Sequence, residues 1–240
     1  RHASVRRALK NAANRLAEAR PDVIIIVSNV HGVRSTVPRP VFGIIRAQEF
    51  PVVETFGRTF EDAFDGLSDE RDDMEALSLR PGHPELANDL IKGLVKDHFD
   101  VACIDQLQPE YALDESFGFC YRWLIEDSTI PVVPFLLSRD LPNQPSPSRV
   151  LDIGFAIRKI LDASPLGLRV GIIASGGLSH QVVDEDLDRA VLNALGTGDF
   201  ESLRQLSHVA LNRAPGTPEI LNWLLVGACM HPGNLTLIDY

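Results

Sequence analysis

The chain has 240 residues, 45% of them hydrophobic and 23% charged, the balance of a water-soluble globular protein able to bury a sizeable core. A formal net charge of -10 argues against an electrostatic grip on nucleic acid or an anionic membrane. No apolar run approaches the roughly 18 residues of a membrane-spanning helix, and no signal peptide is visible. Cys103, Cys120 and Cys229 are widely spaced with no CxxC pair, so they read as reduced, mostly buried thiols of a cytoplasmic protein. The chain starts at Arg1 and ends on the apolar run 235–240, and is therefore expected to be part of a longer chain, incomplete at both ends.

Residues 4–19 place Val5, Leu9, Ala13 and Leu16 near helical spacing, which predicts an amphipathic helix. Pro21-Asp22 ends it, and Val23 to Val27 is an unbroken apolar run of the kind found in central parallel strands. Ser28-Asn29-Val30-His31-Gly32 follows at that strand's carboxyl end, so His31 is either a loop histidine without a role or a group delivered to a sheet edge. Val41 to Ile45 is a second strand. Residues 54–80, with Asp69-Glu-Arg-Asp-Asp73, read as a solvated excursion. His83, in the turn Pro81-Gly-His-Pro84, is a turn or capping residue before a helix over 85–96, and His98 among acidic and basic neighbours is solvated.

Asp100 to Ile104 gives a further strand, followed by a loop that holds Tyr111. Phe117 to Ile125 reads as a helix, Pro131 to Leu137 as a strand and Val150 to Leu161 as a helix, with a Pro/Ser-rich loop over 141–148 too short to separate domains. Val170 to Ala174 is the last strand. It runs into Ser175-Gly-Gly-Leu-Ser-His180, where two glycines permit backbone angles and close approaches that a side chain would block. His180 thus sits just past a strand end, where open α/β sheets hold their ligands, and a histidine there suits general acid–base work. Helical spacing resumes over 185–195 and 200–206. Thr217-Pro218-Glu219 opens a final helix, with Thr217 as its cap and Pro218 in its first turn. Glu219 has two readings here: a first-turn charge on the helix dipole, or a carboxylate presented to a site. Strands alternating with helices predict an α/β fold, a single domain with a central, mostly parallel sheet and helices on both faces.

Two strand-end histidines and a helix-borne carboxylate are the materials of a divalent-metal site with a nearby acid–base group. At these residues the chain resembles the class III extradiol ring-cleaving dioxygenases. The resemblance is carried by Pro21-Asp-Val-Ile-Ile-Ile-Val-Ser-Asn-Val-His31, Gly82-His-Pro-Glu-Leu-Ala87, Ser175-Gly-Gly-Leu-Ser-His-Gln181 and Glu219-Ile-Leu-Asn-Trp223 with Gly227-Ala228, of which the GGLSHQ stretch is the most specific. It implies a catalytic domain over residues 1–240, a non-haem Fe(II) cofactor, and cleavage with O2 of a catechol-type ring of the protocatechuate, gallate or methylgallate class. It implies His31 and Glu219 as metal ligands and His180 as the group that handles the substrate's proton. It also implies a homo-oligomer or a small second subunit as partner.

The sequence departs from the family's pattern twice. The family's first ligating histidine stands in a Ser-His-Pro-like segment ahead of the first helix, and His2 has neither that context nor that spacing, so the first ligand is expected upstream of Arg1. Where several relatives carry Asp-His-Gly, this chain has Glu110-Tyr111-Ala112; Tyr111 either replaces the second pocket histidine as a substrate contact or only packs. Arg34, Arg39 and Arg46 are candidates to meet a substrate carboxylate. Two other readings compete: a metal-free or iron-poor scaffold of the same fold, and a metal-dependent hydrolase.

Overall fold

The computed structural model describes residues 2–29, 40–53, 77–107, 111–180, 182–230 and 235–240. Its strands are β1 (Val23–Ser28), β2 (Phe42–Ile45), β3 (Glu49–Val53), β4 (Leu77–Pro81), β5 (Ala102–Ile104), β6 (Val132–Leu137) and β7 (Val170–Ala174). Five of them form the central sheet in the order β5-β2-β6-β1-β7, and they are the five runs anticipated from the sequence. β1 lies parallel to β6 on one side and to β7 on the other. β2 and β5 are parallel to each other, but β2 meets β6 antiparallel, with Phe42 opposite Leu137. The sheet is therefore mostly parallel, and its one reversal matters. The carboxyl ends of β1, β6 and β7 share one edge, while those of β2 and β5 point to the other.

The helices are α1 (His2–Ala19), α2 (Pro84–Lys96), α3 (Glu115–Trp123), α4 (Pro147–Asp162), α5 (Glu185–Thr197), α6 (Phe200–Arg204), α7 (His208–Leu211) and α8 (Ile220–Cys229). They cover both faces of the sheet, which explains why β1 is apolar without alternation. Val23, Ile25 and Val27 face one layer, packing with Leu86 and Leu90 of α2, Val150 and Ile153 of α4 and Leu221 and Leu224 of α8. Ile24 and Ile26 face the other, with Phe117 and Cys120 of α3 and Phe50 and Val52 of β3, and Leu16 of α1 lies against that cluster. Each such side chain contributes about 1.5–3 kcal/mol on burial, so β1 anchors both halves of the core.

Helix starts follow local chemistry. The side chains of Ser146, Asp184, Asp199 and Ser207 accept hydrogen bonds from backbone N–H groups in the first turns of α4, α5, α6 and α7. His83 caps α2, its Nδ1 accepting from Leu86 N at 3.1 Å, as the turn suggested. His98 is exposed where the chain leaves α2 at φ 64. Thr217 corrects the expectation made for it. It is buried and makes no capping bond; Gly216 takes the cap position of a single 3-10 turn, Thr217–Glu219, that leads directly into α8.

A second correction concerns 77–80, expected to be the end of a solvated excursion: it is largely exposed, but it is a strand. This segment is β4, paired antiparallel with β3, and β3 buries Phe50 and Val52 against α3. β3 holds Pro51, which a two-stranded ribbon tolerates as a central strand does not. Of the thiols, burial pushes Cys120 and Cys229 up to about 12, whereas Cys103 is exposed. Among the described residues no helix is long and apolar enough to cross a membrane.

α4 and α8 approach unusually closely. A Cβ on Gly154 would lie 2.5 Å from the Leu225 carbonyl oxygen and 2.7 Å from Ala228 Cβ. Only glycine permits that contact, which presses the helix following Glu219 against the centre of the core.

Candidate active site

The edge where β1, β6 and β7 end is tied together from below. β1 exits into Asn29, which is fully buried; its Nδ2 donates to Leu137 O at the end of β6 (2.6 Å). Asn29 Oδ1 accepts from Asn222 Nδ2 of α8 (2.8 Å), and the same amide donates to Ser175 O at the end of β7 (2.8 Å). The Ser116 hydroxyl, in the first turn of α3, lies 2.9 Å from Asn29 O. Three strand ends and two helix starts thus share one buried polar network. Within it, Asn222 Oδ1 has no hydrogen-bond partner among the described residues.

β7 leads into the glycine pair. Gly176 adopts φ 103, and a Cβ there would stand 2.1 Å from Glu219 Oε2, so the position needs glycine for both its angle and its clearance. Gly177 N–H points between Glu219 Oε2 (3.1 Å) and His180 Nε2 (3.2 Å). The turn beyond is pinned by Asp188 of α5, a buried carboxylate that accepts from Ser179 N (2.8 Å), Ser179 Oγ (2.6 Å) and the Tyr240 hydroxyl (2.8 Å). Asp184 N in turn donates to Ser179 Oγ at 2.9 Å.

This turn delivers His180 with Nε2 3.1 Å from Glu219 Oε2. The other face of the ring lies against Gly216, where φ is 88 and a Cβ would come within 1.9 Å of His180 Nδ1. Glu219 ends the 3-10 turn, its side chain only 3% exposed. Its carboxylate makes no capping bond to its own helix. One oxygen faces Gly177 N and His180; the other, Oε1, accepts from Arg139 Nη1 at 3.1 Å. Arg139 arrives two residues after the end of β6, at the same sheet edge.

The structure thus brings together His180 and Glu219. His31 lies outside the described residues, two positions beyond Asn29, as do Arg34 and Arg39. Tyr111 is half-buried on the approach to α3 and, among the described residues, bonds to neither His180 nor Glu219. Arg46 is on the wrong side: the reversal of β2 sends it to the opposite edge, where its guanidinium pairs with Asp105 and donates to Asn88 Oδ1 at 2.8 Å. Arg139 and Gly216 are the residues that sequence reasoning passed over. Both stood in plain positions, Arg139 just past a recognised strand and Gly216 just before a recognised helix start. An apolar cavity of about 550 Å³ between α1, α3 and the end of β7 touches Gly176 and Trp223, but neither His180 nor Glu219 lines it.

Gly176→Ala tests the close approach. The added methyl occupies the position of the Glu219 carboxylate, so the carboxylate must move and the backbone is strained. Stability is expected to fall by about 1–3 kcal/mol, read as a lower urea midpoint at unchanged slope. An unchanged midpoint would mean that Glu219 is not held against this turn.

Comparison with known proteins gives the family. Residues 2–234 match the family described as the catalytic LigB subunit of aromatic ring-opening dioxygenase. A gallate dioxygenase of Pseudomonas putida is 25% identical over 173 residues, covering 67% of this chain and 49% of that protein. The chain therefore spans about half the length of this curated relative. With nearly its whole length matched, the chain belongs to the LigB family of catalytic subunits of aromatic ring-opening dioxygenases.

Proposed function

We propose that the protein is a non-haem Fe(II)-dependent extradiol dioxygenase of the cytoplasm, opening a catechol-type ring of the protocatechuate, gallate or methylgallate class with O2. The observation that supports it most is the pairing of His180 Nε2 with the buried Glu219 carboxylate at 3.1 Å, at the edge where β1 leads towards His31. The similarity to gallate dioxygenase supports the substrate class. A homo-oligomer or a small second subunit is part of the same proposal.

The residues fit an iron ion by their chemistry. A carboxylate buried to 3% exposure calls for a positive partner, and Glu219 has Gly177 N–H, the His180 imidazole and the Arg139 guanidinium around it. Among the described residues no three His, Cys, Asp or Glu side chains cluster as a complete ligand set. Glu219 and His31 would hold the ion, a carboxylate and an imidazole being two of the three ligands of the facial triad used by Fe(II) oxygenases. When bound, the ion supplies a Lewis-acidic centre at which the catechol oxygens and dioxygen are brought together.

The protein's own groups do the rest. His180 takes the proton from a catechol hydroxyl and later returns one to the opening ring. Gly177 N–H and Glu219 fix the ring's orientation, so little reorganisation is needed at the moment of transfer. Anaerobic loading of the full-length protein with Fe(II), followed by a catechol and air, is expected to give oxygen uptake and a yellow ring-fission product. No colour with protocatechuate, gallate, methylgallate or simple catechols would overturn the proposal in favour of a scaffold, and ester or amide cleavage without oxygen uptake would favour a hydrolase.

A further inference from the structure

Arg139 has no part in the proton chemistry, yet it stands directly on the Glu219 carboxylate. It approaches Oε1, the oxygen that His180 does not use, so guanidinium and imidazole flank the same carboxylate on two sides. Its backbone is fixed: Arg139 O accepts from Gln144 Nε2 at 2.7 Å, and Gln144 is itself held by Asn212 and His208. Its side chain is less constrained, 24% exposed and reachable from solvent.

The guanidinium is only partly used. Nη1 bonds Glu219, and among the described residues the next carboxylate is that of Asp140, half-exposed and 3.9 Å from Nε, beyond hydrogen-bond reach. An arginine is charged at every physiological pH and offers five donors in a fork that matches a carboxylate. If Glu219 gives its charge to a metal ion, as the proposed function has it, the guanidinium loses its anion while remaining in a half-buried place. Such a cation then takes up whatever carboxylate is offered beside it. The other arginines considered for this task are either outside the described residues or, like Arg46, engaged at the opposite edge of the sheet.

We infer that Arg139 receives the carboxylate substituent of an aromatic acid bound beside His180 and Glu219, and so selects ring-hydroxylated benzoic acids over neutral catechols. The inference rests on the proposed function for its substrate, but its first test needs no iron. Glu219→Gln releases the guanidinium, so by calorimetry the metal-free variant is expected to bind benzoate roughly 10–100-fold more tightly than the native protein, the usual range for a charge-assisted hydrogen bond. Benzamide, of the same shape without the charge, should not gain. Adding Arg139→Gln to Glu219→Gln should remove the gain, and Arg139→Lys should restore only part of it. Equal benzoate affinity in Glu219→Gln and in the double variant would overturn the inference.

A second arm does not depend on the folding of the Glu219 variant. In the iron-loaded protein, Arg139→Gln is expected to lower the ratio of kcat/KM for 3,4-dihydroxybenzoate over that for 4-methylcatechol by roughly 10–100-fold. An unchanged ratio would overturn the assignment while leaving the dioxygenase reading intact. Absence of ring opening by the native protein would remove the dioxygenase reading, and the benzoate titrations would still decide whether Arg139 is an anion site.

Discussion

Replacing His180 by alanine is expected to lower turnover by roughly 10²–10⁴, the usual loss for a general acid–base, while leaving the fold and iron binding in place. The geometry gives reasons for that separation. The ring is seated by backbone, against Gly216 on one side and Gly177 on the other, and its side chain remains 32% exposed, so little core packing is lost with it. Glu219 keeps its bonds from Gly177 N and Arg139 when the imidazole is gone. His180→Phe fills the same space without a proton-accepting nitrogen and should behave alike, which separates lost chemistry from a lost volume. Oxygen-uptake rates measured beside melting curves and iron titrations check this. Native turnover in either variant would remove His180 from the mechanism.

Glu219→Gln should have its largest effect on the metal. Iron affinity is expected to fall by at least roughly 10²-fold, beyond the range seen when only an outer partner of a ligand is altered. The alternative, a first-turn charge on the helix dipole, would cost about 0.3–1 kcal/mol of stability and leave iron binding alone. That alternative requires the carboxylate to cap the free N–H groups of α8, whereas it makes no capping hydrogen bond there and instead meets Gly177 N–H and Arg139. Metal-free stability should nevertheless fall by about 1–2 kcal/mol, because Arg139 loses its partner. The loss stays below the 3–5 kcal/mol typical of a fully buried pair, since this guanidinium can turn to water. Iron binding unchanged in the variant would refute the ligand assignment whatever the melting curve shows.

Much of the architecture could be read from the chain because local pattern and burial agree. Val23 to Val27 is apolar at every position since both sheet faces are covered, and Gly176-Gly177 reads as a turn since two close contacts there exclude a side chain. What periodicity does not encode is direction. Nothing in Phe42 to Ile45 says that β2 runs opposite to β6, yet that reversal removes Arg46 from the site and leaves the cationic role to Arg139. β3 was not anticipated at all, and its burial depends on α3, an element much later in the chain. Thr217 had the composition of a cap and lost that role to Gly216, because the ring of His180 needs the space a glycine leaves. The pairing of His180 with Glu219 is likewise tertiary: the sequence offered both residues, but only the packing of α8 against β7 and α4 sets their separation.

The contact at Gly154 has a dynamic counterpart. Because α8 is wedged against α4 with no side chain between them at Gly154, the helix cannot slide or tilt on its own, and Glu219 rides on its first turn. The amides of α8 should therefore exchange with deuterium only through global unfolding, while those of the 176–180 turn, which carry fewer internal hydrogen bonds, exchange through smaller openings. The carboxylate would then behave as a fixed stator and the histidine as the part that breathes around it, so that motions admitting and releasing ligands run through the turn after β7 and leave the helix still.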